Sequence, residues 1–129
     1  IWKKILYKDE KTGCIDLLVD PSDPKTLYAS MWNLIRKRWS DPVPEDGAHI
    51  YKTTDGGKTW ERILYVGPST GAADVLMDPN NPNVLYASMW EFRRTGWSFE
   101  SGGEHSALYK STDAGKTWNK IHNGFPKGN

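Results

Sequence analysis

Leu27-Tyr-Ala-Ser-Met-Trp32 returns letter for letter as Leu85-Tyr-Ala-Ser-Met-Trp90. The copies lie 58 positions apart, and the same interval separates Arg36 from Arg94, Trp39 from Trp97, Tyr51 from Tyr109 and Trp60 from Trp118. Ile5-Leu-Tyr7 and Ile63-Leu-Tyr65 keep that spacing too, so no gap is needed anywhere. A fixed period of this length marks a repeat architecture, in which each unit buries its apolar faces against its neighbours.

Within one period the punctuation is that of an antiparallel sheet. Cys14–Val19 reads as strand A and is closed by Asp20-Pro-Ser-Asp-Pro24, whose two prolines block a helix and fit a tight turn. Thr26–Trp32 is strand B, the polar stretch Asn33–Gly47 is a long loop, and His49–Thr53 is strand C. The turn Asp55-Gly-Gly57 leads to strand D, Thr59–Tyr65. The second period repeats the plan as Ala72–Met77, Val84–Trp90, Ala107–Ser111 and Thr117–His122. Four short strands per unit predict an all-β protein made of β-propeller blades. A parallel β-helix fits less well, because its coils are shorter and lack a hairpin every few residues.

The expected organisation is an outer strand of a preceding blade at 1–7, one blade at 8–65, a second at 66–123, and the start of a further connection at 124–129. On this reading Ile1-Trp-Lys-Lys-Ile-Leu-Tyr7 aligns with strand D and is surplus to the two complete blades. The expectation is then a longer propeller, or copies of the chain that associate to complete one.

Thr53-Thr-Asp55-Gly-Gly57-Lys-Thr59-Trp60 and Ser111-Thr-Asp113-Ala-Gly115-Lys-Thr117-Trp118 share the pattern Ser/Thr-x-Asp-x-Gly-x-Thr-Trp. The residue types suit a hairpin. The aspartate accepts backbone N–H groups, the glycine takes a positive φ, and the hydroxyl bonds within the turn. The motif resembles the Asp box of the bacterial neuraminidase repeat. With the Asp-Pro turn and the Leu-Tyr-Ala-Ser-Met-Trp strand, the chain is similar to sortilin-type and xyloglucanase-like propeller domains. That resemblance implies export to an extracellular or periplasmic space. It also implies that the box serves structure and lies away from any active site.

Strand parity places the A–B and C–D turns on one rim of a blade. The B–C loops, Asn33–Gly47 and Glu91–His105, fall on the other rim with the D–A loops Lys8–Gly13 and Val66–Gly71. The B–C loops carry Arg36, Arg38 and Trp39 in one blade and Phe92, Arg93, Arg94 and Trp97 in the other. Tryptophan stacks on sugar rings or apolar side chains and arginine clamps carboxylates, so these are the candidate ligand-binding residues. Each arginine stacking on its own tryptophan, merely to stiffen the loop, is the competing explanation.

No catalytic set stands out. The loop-rim carboxylates Asp9, Glu10, Asp41, Glu45, Asp46, Glu91, Glu100 and Glu104 show no spacing that selects a glycosidase pair. The three histidines lack metal-ligand spacing, and no glycine-rich loop opens a helix to cradle a phosphate, so no metal or cofactor is expected. A net charge of +1 argues against nucleic acid as a partner, and no apolar run is long enough for a membrane-spanning helix. Cys14 is the single cysteine and stands where the other repeat has Ala72, which predicts a small buried position. The reading is therefore a non-catalytic recognition or scaffold segment that binds a glycan or a protein. Part of a glycoside hydrolase whose carboxylates are incomplete here is the alternative.

Overall fold

A computed structural model describes residues 1–33, 48–94 and 96–124, with the side chains of 93 and 94 set aside. Among these residues there is no helix. Strands β1 (Gly13–Val19), β2 (Leu27–Trp32), β3 (His49–Thr53) and β4 (Glu61–Leu64) form one antiparallel sheet in sequential order. The second sheet takes β5 (Thr70–Asp78), β6 (Asn81–Arg94), β8 (Ala107–Ser111) and β9 (Asn119–Lys120) in that order, with β7 (Phe99–Ser101) paired to the far end of β6. Two four-strand meanders, one per repeat, are the blades.

The registers obey the period. Leu27 faces Thr53 and Met31 faces His49 in the first blade, while Leu85 faces Ser111 and Met89 faces Ala107 in the second. Even the irregularity repeats, with a bulge between Cys14 and Asp16 and another between Ala72 and Asp74. A bulge re-aims the side chains beside it and tightens the local twist.

The blades stack face to face. Tyr28, Ile50 and Leu64 of the first sheet share one buried cluster with Ala72, Val75, Leu85, Ala87 and Met89 of the second. Burying side chains of this size stabilises the stack by roughly 1.5–3 kcal/mol for each large one. Polar ties cross the same joint: the Tyr28 hydroxyl donates to the Ala114 carbonyl at 3.4 Å, and Lys52 Nζ donates to it at 2.9 Å.

Four details depart from the expectations. Residues 1–7 form no strand. They nevertheless lie where an outer strand belongs: the Ile5 carbonyl accepts from Trp60 Nε1 at 2.9 Å, and Ile5 packs on Gly57 as Ile63 packs on Gly115. Strand D is short in both blades, since Thr59 and Thr117 are held in the box turn rather than in the ladder. The Glu91–His105 segment is largely a hairpin, in which Phe92 pairs with Ser101 and Arg94 with Phe99.

Cys14 is exposed, whereas its counterpart Ala72 is fully buried. The reason is the stack: the first blade covers the face that holds Ala72, and no blade among the described residues covers the one that holds Cys14. The thiol donates to the Asp16 carbonyl at 3.1 Å. Partial desolvation and the Asp16 carboxylate push its pKa up, away from a reactive thiolate.

Candidate functional site

The Asp boxes are turn locks. Thr53 Oγ1 donates to Asp55 Oδ1 at 2.7 Å and accepts from the Gly57 amide at 3.0 Å. Asp55 Oδ1 takes the amides of Lys58 and Thr59, both at 2.9 Å, while Oδ2 takes the Thr59 hydroxyl at 2.6 Å. In the second box Ser111 replaces Thr53 and the geometry persists: Ser111 Oγ to Asp113 Oδ1 at 2.8 Å, Thr117 N to the same oxygen at 2.8 Å, and Thr117 Oγ1 to Oδ2 at 2.6 Å. Gly57 and Gly115 take φ of 85° and 88°, where a side chain would be strained. Trp60 and Trp118 each close their own box, Nε1 donating to the carbonyls of Gly57 and Gly115 at 3.2 and 3.1 Å.

Donors converging on a carboxylate favour its charged form. The hydroxyl and amide of Thr117, then Ser111, lower Asp113 to about 2. The same donors in the first box hold Asp55 further below the ordinary range. Both carboxylates have their oxygens committed to hydrogen bonds within the turn.

The boxes sit on the A–B rim. The Gly56 amide donates to the Lys25 carbonyl at 2.9 Å, and the Ala114 amide donates to the Asn83 carbonyl at 2.9 Å. At the opposite ends of the strands, the D–A loop meets the B–C segment where Gly67 packs against the His105 ring. The two rims are therefore chemically distinct.

A row of aromatic rings runs along the loop rim. Trp32 and Trp90 meet edge to face at 5.2 Å between centroids, Trp90 meets Phe92 at 4.9 Å, and Phe92 meets Phe99 at 5.5 Å. The row crosses both blades, because the Trp32 ring lies on Gly71, where an added Cβ would come within 2.4 Å of it. Polar bonds set the hairpin beneath it: Trp90 Nε1 donates to Ser101 Oγ at 3.1 Å, the Glu91 amide to Ser106 Oγ at 2.8 Å, and the Gly102 amide to the Glu91 carbonyl at 2.9 Å. Trp97 stands at the hairpin turn with 84 % of its surface exposed.

Of the candidate binding residues, Phe92 lies within this row and Trp97 lies in the turn between β6 and β7. Arg93 and Arg94 lie on β6 opposite Glu100 and Phe99. Arg36, Arg38 and Trp39 fall outside the described residues. Phe99 belongs with the planar groups that the sequence places in the second B–C loop, whereas Trp32 and Trp90 are not among its binding candidates. The signal was available in the repeat, since the same tryptophan ends strand B in both copies and parity carries that end to the loop rim.

Two other aspartates, Asp16 and Asp74, are repeat equivalents that meet across the joint of the inner strands. Partial burial first, then the hydrogen bond and charge of Asp16, raise the pKa of Asp74. Carboxyl groups in hydrogen-bond contact are too close to flank a glycosidic bond, which takes about 5–10 Å between them. A carboxyl group with a raised folded-state pKa contributes its stability at low pH. That contribution is lost as the pH rises from the unfolded value near 4 through the folded one. Asp74→Asn is accordingly expected to raise stability at pH 7, by a few tenths to about 1 kcal/mol after solvent screening, with no gain below pH 4. Urea titrations of both forms at the two pH values check this. Among the described residues no group of three or more His, Cys, Asp or Glu is placed to hold a metal ion.

Comparison with known proteins agrees with the geometry of the turns. Residues 51–62 and 109–120 match the BNR/Asp-box repeat, which spans the core of both boxes and the strands beside them. The chain is 32% identical over 124 residues to a xyloglucanase of Acetivibrio thermocellus, covering 88% of this chain and 12% of that protein. It is 32% identical over 123 residues to the dispase autolysis-inducing protein of Streptomyces mobaraensis, covering 89% of this chain and 30% of that one. A sialidase of Bacteroides fragilis is 35% identical over 90 residues, covering 54% of this chain and 16% of the sialidase. The chain thus spans less than a third of the length of each of these relatives.

Proposed function

We propose that these Asp-box propeller blades form a non-catalytic recognition surface, which binds a glycan or a protein through the loop rim. The observation that carries the reading is the aromatic row from Trp32 to Phe99, with exposed Trp97 in the turn of the β6–β7 hairpin. Rings presented along a rigid sheet edge offer flat apolar contact at little entropic cost. Arg93 and Arg94 bring positive charge to the same hairpin. The reading includes an extracellular or periplasmic location, where such ligands are met.

Part of a glycoside hydrolase is the second reading, favoured by the relatives named xyloglucanase and sialidase. Against it, Glu91 takes part in holding the hairpin, the box aspartates are locked in their turns, and Asp16 and Asp74 are in mutual contact.

Titration of the chain against glycan and peptide arrays tests the proposal. Trp97→Ala is expected to weaken the best ligand about tenfold, equivalent to about 1.4 kcal/mol, while the melting temperature stays unchanged. Equal affinity of the two forms overturns the role of the rim. Release of reducing sugar from xyloglucan or of free sialic acid from a sialoside would establish the second reading instead.

A further inference from the structure

The hairpin of β6 and β7 has one open edge, and its ladder fixes which backbone groups lie there. Phe92 pairs with Ser101, Arg93 with Glu100 and Arg94 with Phe99. The Gly102 amide donates to the Glu91 carbonyl, which makes Glu91 and Gly102 a hydrogen-bonded pair. Such pairs alternate along an antiparallel ladder, so Arg93 and Glu100 are bonded to each other, whereas Phe92–Ser101 and Arg94–Phe99 are not. The backbone N–H and C=O groups of Phe99 and Ser101 therefore point away from β6, along the outer edge of β7. All three residues of β7 are exposed, Phe99 to 63%.

This edge lies in the plane of its own sheet. β7 and β8 are successive stretches on one side of β6, and β5 is on the other. Blades meet through their faces, so a stacked blade leaves the β7 edge uncovered. Among the described residues no further strand pairs with it. Side chains alternate across the same strand. Phe99 and Ser101 share the face of Phe92 and Trp90, where the rings meet and Trp90 Nε1 bonds to Ser101 Oγ. Glu100 stands on the opposite face.

We infer that the β7 edge takes an extended segment of a partner protein as an added antiparallel strand, with a basic residue opposite Glu100 and an apolar residue on either side of it. This rests on the recognition role proposed for the loop rim and narrows its ligand to a peptide strand. An open edge offers main-chain hydrogen bonds to any extended chain, and the alternate side chains supply the selection. Phe99 and Ser101 bond the incoming backbone. Glu100 then faces its partner in a pair not bonded through the backbone, where side chains come closest. The two apolar neighbours fall on the face that carries Phe99.

A second copy is a poor occupant of this edge. A two-fold axis at the middle of β7 sets two Glu100 carboxylates directly opposite each other, and like charges so placed repel. A glycan is a poor occupant of the aromatic face, because consecutive rings meet at 81°, 62° and 82° and offer no flat platform to successive sugars.

Amide shifts of the isotope-labelled chain test this, in titrations with the end-blocked peptides Thr-Val-Lys-Val-Thr and Thr-Val-Glu-Val-Thr. The Lys peptide is expected to move the Phe99 and Ser101 amides and to bind about threefold more tightly than the Glu peptide. Glu100→Lys reverses that preference. Ser101→Pro removes one outward N–H and no bond of the hairpin ladder. It is expected to bind the Lys peptide about fivefold more weakly than Ser101→Ala, which lacks the same hydroxyl. Equal binding of the two peptides by the parent overturns the inference, as does equal affinity of the Pro and Ala variants. Phe99 and Ser101 amides that move with the concentration of the chain alone also overturn it, in favour of self-pairing. Cellohexaose that shifts the Trp97 indole, with neither peptide binding, overturns the inference and leaves the recognition role of the rim standing. Binding of neither peptides nor glycans removes both.

Discussion

Tyr28→Ala is expected to cost about 3–5 kcal/mol of stability, whereas Tyr86→Ala costs about 1 kcal/mol, measured by urea denaturation of the dilute chain. The two residues hold the same place in the repeat, and each carries a lysine over its ring, Lys52 at 5.2 Å and Lys110 at 5.3 Å. They differ in what lies beyond. Tyr28 is fully buried against the second blade, and its hydroxyl reaches the Ala114 carbonyl of the second Asp box. Burial, then the Asp20 carboxylate, push its pKa up to about 12, so it remains a neutral donor throughout the working range. Truncation leaves a ring-sized cavity in a joint that cannot collapse without moving a sheet. Tyr86 faces outward, and its loss removes area already half in water. Equal costs at the two positions would mean that the sheets are not stacked.

Gly115→Ala is expected to cost about 2–5 kcal/mol, from two additive sources. At φ of 88° an L side chain pays about 1–2 kcal/mol in backbone strain. The new methyl group would also come within 2.5 Å of Ile63 Cδ1, which is seated on this glycine from the first blade, and overpacking of that kind costs about 1–3 kcal/mol. Gly56→Ala is the control. Its φ is 72°, nothing lies within 4 Å of the added atom, and the other box already has Ala114 there at φ 58°. A loss of about 1 kcal/mol is expected for the control, read from thermal or urea denaturation. If both substitutions cost the same, the Ile63 seat is not formed.

The parts of the fold that were legible in the sequence are those set by local chemistry. Strands B and C carry aromatic and other apolar residues between strong turn signals, and β3 and β8 run over the residues expected of them. The box turns were readable for the same reason, since their partners lie within four residues of one another.

What the sequence concealed depends on neighbours. Cys14 and Ala72 occupy one repeat position, yet one is in solvent and the other in the core, because among the described residues only Ala72 has a blade over it. Residues 1–7 carry the composition of an outer strand, but a ladder needs a second edge. The hairpin of β6 and β7 was hidden because Phe99-Glu-Ser-Gly-Gly103 has no counterpart in the other repeat and little alternation. The aromatic row was half legible. The repeated tryptophan was in plain view, but its company with Phe92 and Phe99 required the hairpin.

Stacked Asp-box blades are the claim on which the rest stands, and methyl nuclear Overhauser contacts test it most directly. The account expects a strong contact from the Ile63 δ1 methyl group to the Gly115 α protons, and an equivalent one from Ile5 to Gly57. Absence of the Ile63 contact in a folded chain with both box turns intact would contradict the stack.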